Sequence, residues 1–108
     1  MTWTVKVLNE VVEAELLELP ADMQAAFARL AERIMAVGLE RIREPHVKHL
    51  DGKLWEMRFN GRDGIARAIY VTASGRRIII LHAFVKKTQK TPRAALILAL
   101  DRAKEIDR

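Results

Sequence analysis

The fold is decided by residues 54–85, which read LWEMRFNGRDGIARAIYVTASGRRIIILHAFV. Residues 54–59 alternate between apolar and charged side chains, which is typical of a strand that turns one face to the core. Residues 65–72 and the strongly apolar residues 77–85 predict two further strands. Glycine-containing segments separate the three strands, and Ser74-Gly75 is a hairpin signal. The stretch therefore predicts an antiparallel meander.

A pair of helices is predicted before this sheet. A short strand over residues 3–8 comes first, and Asn9 can cap the helix that follows over residues 10–19. Pro20 starts a second helix, because its missing N–H is not needed in the first turn, and Gly38 is placed to end it. The buried face of the second helix is predicted to be a stripe of apolar residues at helical spacing: Met23, Phe27, Leu30, Ile34 and Val37.

A last helix is predicted after the sheet. Thr91 and Pro92 read as an N-cap followed by proline in the first turn, and the helix is expected over residues 94–104. The predicted order β-α-α-β-β-β-α belongs to the α+β class with an antiparallel sheet. We expect a single domain over residues 1–108, with the helices packed on one face of the sheet and the other face partly open.

Composition narrows the class of protein. The chain has 108 residues, half of them hydrophobic, which is enough for a core without staples. It has no cysteine, which excludes a disulfide scaffold, a thiolate zinc site and a cysteine nucleophile. Without a membrane-spanning apolar run or a signal-peptide layout, we expect a cytoplasmic protein with no membrane partner. The pair His46-x-x-His49 lies in an extended segment without suitable carboxylates, so no metal cofactor is expected.

Charge is distributed unevenly along the chain. Residues 1–40 carry 3 Lys/Arg and 7 Asp/Glu, net −4, whereas residues 41–108 carry 16 Lys/Arg and 7 Asp/Glu, net +9. Residues 48–93 alone hold 11 Lys/Arg against 3 Asp/Glu. A basic half of this kind favours a polyanionic partner such as RNA, bound electrostatically and therefore in a salt-sensitive way.

The predicted strands gather cationic side chains on one face. Arg58 lies on the non-core face of its strand, and Arg67 interrupts an apolar strand, where a buried guanidinium needs a partner or an opening. Strict alternation in the last strand would place Ile80, His82, Phe84 and Lys86 on one side, and Leu81, Ala83 and Val85 on the other. The lone Tyr70 has the opposite parity from Arg67 and is expected in the core.

Such a patch suits the cleavage of RNA without a metal ion. A base removes the proton of a ribose 2′-OH, which attacks the adjacent phosphate, while arginine and lysine stabilise the charge that develops. The catalytic candidates are Arg58, Arg67, His82 and Lys86. The candidates for RNA binding are Phe84, which can stack on a base, the basic-loop residues Lys87 and Lys90, and His49.

Several motifs in the second half resemble a known pattern. They are Leu50-x-Gly52-x-Leu54-Trp55-Glu56-x-Arg58, Arg67-x-x-Tyr70, Ile80-Leu81-His82-x-Phe84-x-Lys86-Lys87 and Lys90-Thr91-Pro92, followed by a helix with Ala95, Ala99 and Arg102. With these motifs the chain resembles the HigB branch of the RelE/ParE toxin superfamily, the phage-derived type II toxins.

The resemblance implies a RelE-like fold and a function. Such toxins are ribosome-dependent endoribonucleases that cleave mRNA in the A site without metal. A small cognate antitoxin, often a helix-turn-helix protein, neutralises them, and operator DNA is bound only through that antitoxin. By position, the resemblance carries over Arg58, Arg67, His82 and the Lys86/Lys87 pair. The C-terminal tyrosine of some relatives is absent, and Phe84 in its place cannot transfer a proton, which assigns that task to His82 or a lysine.

Two other functions remain open at this point. One is inhibition of DNA gyrase by a ParE-like protein that has no nuclease site. The other is RNA binding by a basic module without catalysis. The cluster of Arg58, Arg67, His82 and Lys86 favours the nuclease over the gyrase inhibitor, whereas the missing tyrosine leaves the RNA-binding module as an alternative.

Overall fold

The predicted α+β class is confirmed by the structure, a computed structural model that describes residues 2–86 and 90–106. Its elements in chain order are β1 (Thr4–Val7), α1 (Glu10–Leu17), α2 (Ala21–Val37), β2 (Val47–Asp51), β3 (Leu54–Gly61), β4 (Gly64–Ala73), β5 (Arg77–Val85) and α3 (Arg93–Ala103). A short 3-10 turn, Leu39–Arg41, follows α2. None of the described helices is long and apolar enough to cross a membrane.

The five strands form one mixed sheet in the order β1-β5-β4-β3-β2. Strands β2 to β5 are an antiparallel meander, as the sequence predicts for its last three members. β1 pairs with β5 in parallel, and β2 is a strand that the sequence did not predict. α1 and α2 connect β1, at one edge of the sheet, to β2 at the other edge. The antiparallel meander from β2 to β5 then returns across the sheet, and β5 lies beside β1 in the parallel direction, so the sheet is mixed.

Helices cover both faces of the sheet. Val12 of α1 and Met23 and Ile34 of α2 are buried in one cluster with Met57 and Tyr70 of the sheet. On the other face, which we call the α3 face, the small side chains of α3 pack on a second apolar cluster: Ala95, Ala99 and Ala103 against Leu54, Ile69, Val71, Ile79 and Leu81. The expectation that the helices pack on one face is therefore wrong, because the second face is also apolar and must be covered.

A bulge in β5 changes which side chains share a face. Ile69 pairs with His82 and Tyr70 pairs with Ile80, so Leu81 is the extra residue. Ile80 therefore packs in the α1–α2 core, whereas Leu81 and Phe84 lie on the α3 face. The strict alternation expected for this strand is wrong for Ile80 and Leu81, because the bulge shifts the parity by one residue.

Several local signals behave as predicted. The Asn9 side chain accepts a hydrogen bond from the Val12 N–H at 3.1 Å and so caps α1. Gly38 ends α2 at a φ of 91°, a left-handed conformation that favours glycine. Tyr70 is buried in the core as expected. Val37 was also expected to be buried, but it is the last residue of α2 and is 47% exposed.

Candidate active site

A buried glutamate holds two arginines together on the α3 face. Arg58 of β3 lies opposite Arg67 of β4 in the strand register, so their side chains are neighbours. Glu56 is fully buried, and its Oε1 lies 2.9 Å from Arg58 Nε and 3.2 Å from Arg67 Nη1. The prediction that Arg67 needs a partner is thereby confirmed, since burial of an uncompensated guanidinium would be strongly unfavourable.

Thr91 connects this arginine pair to α3. Its hydroxyl donates a hydrogen bond to Glu56 Oε2 at 2.6 Å, and Nη1 of Arg67 donates to the same hydroxyl. The expectation that Thr91 caps the last helix is wrong, because α3 begins at Arg93 after Pro92 and its N-cap has no side-chain hydrogen bond. The hydroxyl is used to bind the Glu56–Arg67 pair, which ties the start of the helix to the sheet.

A cleft of about 290 Å³ opens beside the paired arginines. We call it the arginine cleft, and its walls come from β2, β3, β4 and the start of α3: Lys48, His49, Leu50, Glu56, Arg58, Arg67, Lys90, Thr91 and Leu96. The Arg58 side chain is 23% exposed, while Arg67 is almost fully buried behind it. Four of these side chains are cationic against one carboxylate that is already paired, so the cleft suits an anionic ligand.

Lys86 lies close enough to this cleft to respond to its charges. Partial burial lowers the pKa of the Lys86 amine, and the positive charges of Arg67 and Arg58 lower it further. Its backbone N–H extends the sheet by donating to the Ile65 carbonyl at 2.7 Å. A lysine whose pKa is lowered releases its proton more readily than an ordinary surface lysine.

His82 takes part in a different cluster, centred on Glu15 of α1. Nδ1 of His82 lies 2.9 Å from Glu15 Oε1, the Ala83 N–H donates to the same oxygen at 3.1 Å, and Arg102 Nη2 lies 2.8 Å from Oε2. Burial alone would raise the pKa of Glu15, but the hydrogen bonds from Arg102, His82 and Ala83 outweigh it and lower that pKa. These contacts, with a 2.8 Å bond from Arg102 to the Leu81 carbonyl, cover the edge of β5 beyond the end of β1.

Phe84 lies between the two clusters. Its ring stacks on His82 with centroids 4.8 Å apart, and it is opposite Arg67 in the strand register. His49 lines the arginine cleft from β2, where its Nε2 lies 2.7 Å from the Gly52 carbonyl oxygen and its ring contacts Trp55.

The structure thus brings together part of the candidate set. Arg58, Arg67, His49 and Lys90 line one cleft with Lys86 nearby, whereas His82 belongs to the Glu15 cluster. The candidate Lys87 lies outside the described residues. Within the described part of the chain, no group of three or more histidine, aspartate or glutamate side chains is placed to hold a metal ion.

The site candidates named from the sequence do not include four residues of these clusters: Glu15, Lys48, Glu56 and Thr91. Glu56 could have been found, because strand alternation places it on the face of Arg58 and a strand-interior arginine requires a carboxylate. Lys48 faces Glu56 from β2, a strand that was not predicted. Glu15 is 67 residues away from His82, and no local signal connects the two.

We expect Glu56→Gln to destabilise the protein by about 3 kcal/mol, because removal of one partner of a buried ion pair leaves its charge uncompensated. The amide keeps the shape of the side chain, so the change isolates the charge that holds Arg58 and Arg67. Thermal unfolding measures the effect, and Glu18→Gln, at an exposed glutamate after α1, is the control. A melting temperature equal to that of the control would contradict the assigned role.

Comparisons with known proteins agree with this architecture. The family described as Phage derived protein Gp49-like matches residues 14–104. The chain is similar to the structure of the free E. coli toxin RelE carrying two arginine-to-alanine mutations, with a TM-score of 0.66 and 13% sequence identity, over 94% of this chain and 98% of that one. It is also similar to the archaeal RelE-RelB complex from Pyrococcus horikoshii OT3, with a TM-score of 0.56 and 27% identity, over 79% of this chain and 96% of that one. No curated protein matches the sequence significantly. The likeness to RelE confirms the RelE-like fold.

Proposed function

Since the chain belongs to the Gp49-like family of phage-derived proteins and has the RelE fold, we propose that it is the toxin of a toxin–antitoxin pair and that it cleaves mRNA on the ribosome. The observation that carries this proposal is the pair Arg58 and Arg67, fixed by one buried carboxylate at a cationic cleft. An arginine pair held in this way is preorganised to stabilise a phosphate that gains negative charge.

The reaction needs no group beyond the side chains of the chain and the RNA itself. The 2′-oxygen of one ribose forms a bond to the adjacent phosphorus, and the bond from phosphorus to the 5′-oxygen of the next nucleotide breaks. The products are a 2′,3′-cyclic phosphate and a 5′-hydroxyl. The guanidinium groups of Arg58 and Arg67 stabilise the extra charge on the phosphorane oxygens between these two events.

Two protons move during this reaction. Lys86 is assigned the proton of the 2′-hydroxyl, because burial and the neighbouring arginines lower its pKa. His82 is the alternative base, although its Nδ1 is already engaged with Glu15. The 5′-oxygen needs a proton in order to leave, and His49 is the histidine that lines the cleft.

The remaining candidates hold the RNA in the cleft. Lys90 and Lys48 line it and neutralise backbone phosphates, and the sequence assigns the same role to Lys87, which lies outside the described residues. Phe84 packs on a base next to the cleaved bond. These contacts are electrostatic or stacking interactions, so their loss weakens binding more than the chemical step.

The partner that restrains this activity is proposed to be a cognate antitoxin. The related archaeal RelE was solved as a complex with RelB. A helix-turn-helix antitoxin, which would also carry the contact with operator DNA, and membership of the HigB branch are further parts of this proposal.

We expect controlled expression of the chain to arrest growth and to produce new mRNA 5′ ends positioned by codon. Arg67→Ala should abolish both effects, and Arg77→Ala, which changes a strand arginine outside the arginine cleft, should keep them. Co-expression of the adjacent gene should relieve the arrest. Growth arrest with loss of DNA supercoiling and intact mRNA would instead identify a gyrase inhibitor, and normal growth at high expression would refute the toxin assignment.

A further inference from the structure

A second cationic groove lies between α2 and β3. Its volume is about 280 Å³, and its cations are Arg29 and Arg33 of α2 together with Arg58, while His46 also lines it. No aspartate or glutamate is among the residues that line it. We call it the α2 groove, and its composition suits an anion rather than a neutral or cationic ligand.

The two arginines of α2 are not explained by the fold. Arg29 and Arg33 are exposed and one helical turn apart, so their like charges repel, while Glu32 lies three residues after Arg29 and offsets part of this repulsion. Within the described residues, neither of them forms an ion pair. Their charges are therefore available to an anionic ligand in the groove.

Arg58 connects the α2 groove to the arginine cleft, because it lines both. β2 begins at Val47, and the last backbone bond on this side of β3 runs from the Arg58 N–H to the His46 carbonyl at 2.9 Å. Beyond this point β2 no longer covers the edge of β3, and the Arg58 side chain forms part of the wall of both openings. A flexible chain of phosphates bound in the cleft would continue over Arg58 into the groove.

We propose that the α2 groove binds the sugar–phosphate backbone of the RNA beside the bond that is cut. The proposal rests on the proposed function, since it assigns a binding track to the same substrate. An acidic protein segment has the same charge, but the shared Arg58 favours a polyanion that already occupies the arginine cleft. Arg29 and Arg33 then contribute to the length of RNA that is held and to the salt dependence of binding, and not to the chemical step.

The test compares the wild-type protein with the double variant Arg29→Gln/Arg33→Gln. Binding to fluorescent single-stranded oligoribonucleotides of about 4 and about 12 nucleotides is measured by anisotropy at several salt concentrations. Each lost phosphate contact on a single strand lowers the slope of log affinity against log salt by about 0.7, so the double variant should lose about 1.4 on the longer RNA. Its affinity for the shorter RNA should change little.

A charge-matched control separates a local track from general attraction. Lys6→Gln/Lys104→Gln removes two exposed cations, one of them on the opposite edge strand, and should keep the wild-type slope. The inference is overturned if the α2 variant keeps the wild-type dependence on length and salt, if the control loses as much slope, or if only antitoxin binding weakens. Cleavage on programmed ribosomes is measured in parallel. If the wild-type protein binds long RNA through the α2 groove but does not cut mRNA, the proposed function is refuted, while RNA binding in the α2 groove still stands.

Discussion

Arg67→Ala is expected to lower the rate of RNA cleavage by about 10²–10³, or roughly 3–4 kcal/mol of transition-state stabilisation. The guanidinium is fixed by Glu56 and Thr91 at the wall of the cleft, so its positive charge is already in place when charge develops on the phosphate. The variant should remain folded, because Glu56 keeps its 2.9 Å contact with Arg58 and its hydrogen bond from Thr91.

Two measurements decide this prediction together. Cleavage on programmed ribosomes gives the rate, and thermal unfolding shows whether the fold survives. Arg77→Ala is the matched control, because Arg77 is also a strand arginine but bonds the Ser74 carbonyl outside the arginine cleft. If Arg67→Ala unfolds, the residue is a structural ion-pair member. If it stays folded and cuts at the parent rate, Arg67 does not act on the transition state.

The sequence predicted those parts of the fold that depend on local patterns. The meander, the Asn9 cap, the end of α2 at Gly38 and the buried Tyr70 follow from periodicity or from side chains that bond their own neighbours. The placement of α3 on the second face could not be read in this way. This placement depends on which of the two apolar faces of the sheet is covered by α1 and α2 and which is left for α3, and contacts between distant segments determine that.

The candidate site shows the same division. Arg67 was recognisable because a guanidinium inside an apolar strand breaks a local rule, and its need for a partner was met by Glu56. The position of His82 was not recognisable, because one extra residue in β5 alters the faces and a glutamate from α1 determines its contacts. Bulges and contacts between distant segments leave no periodic signal in the sequence.

These placements also reorder the candidates for proton transfer. His82, the catalytic candidate suggested by the motif, contacts Glu15. Lys86 instead lies close enough to Arg58 and Arg67 for their charges to lower its pKa. A base must reach the proton that it removes, so a position beside the arginine pair favours a residue for this role. We therefore propose Lys86 as the base, and we expect its loss to have the larger effect.

Lys86→Arg is expected to lower the cleavage rate by about 10²–10⁴, the usual contribution of a general base, although it keeps the positive charge. A guanidinium does not lose its proton in a protein, so the variant preserves attraction for phosphate and removes only proton transfer. The wild-type rate should rise with pH as the amine deprotonates, and it should level off below the usual lysine pKa of 10.5 because burial and the two arginines lower that pKa. The pH–rate profile on programmed ribosomes measures this, with Lys104→Arg as the exposed control.

His82→Gln separates the two candidate bases. If Lys86 is the base, this variant keeps the wild-type pH–rate profile, and any loss of rate follows from the weakened Glu15 cluster and appears as a lower melting temperature. A pH dependence of the wild-type rate that His82→Gln abolishes would assign the proton to the histidine. Full activity of Lys86→Arg would show that Lys86 acts only through its charge, because the arginine side chain supplies that charge and cannot act as the base.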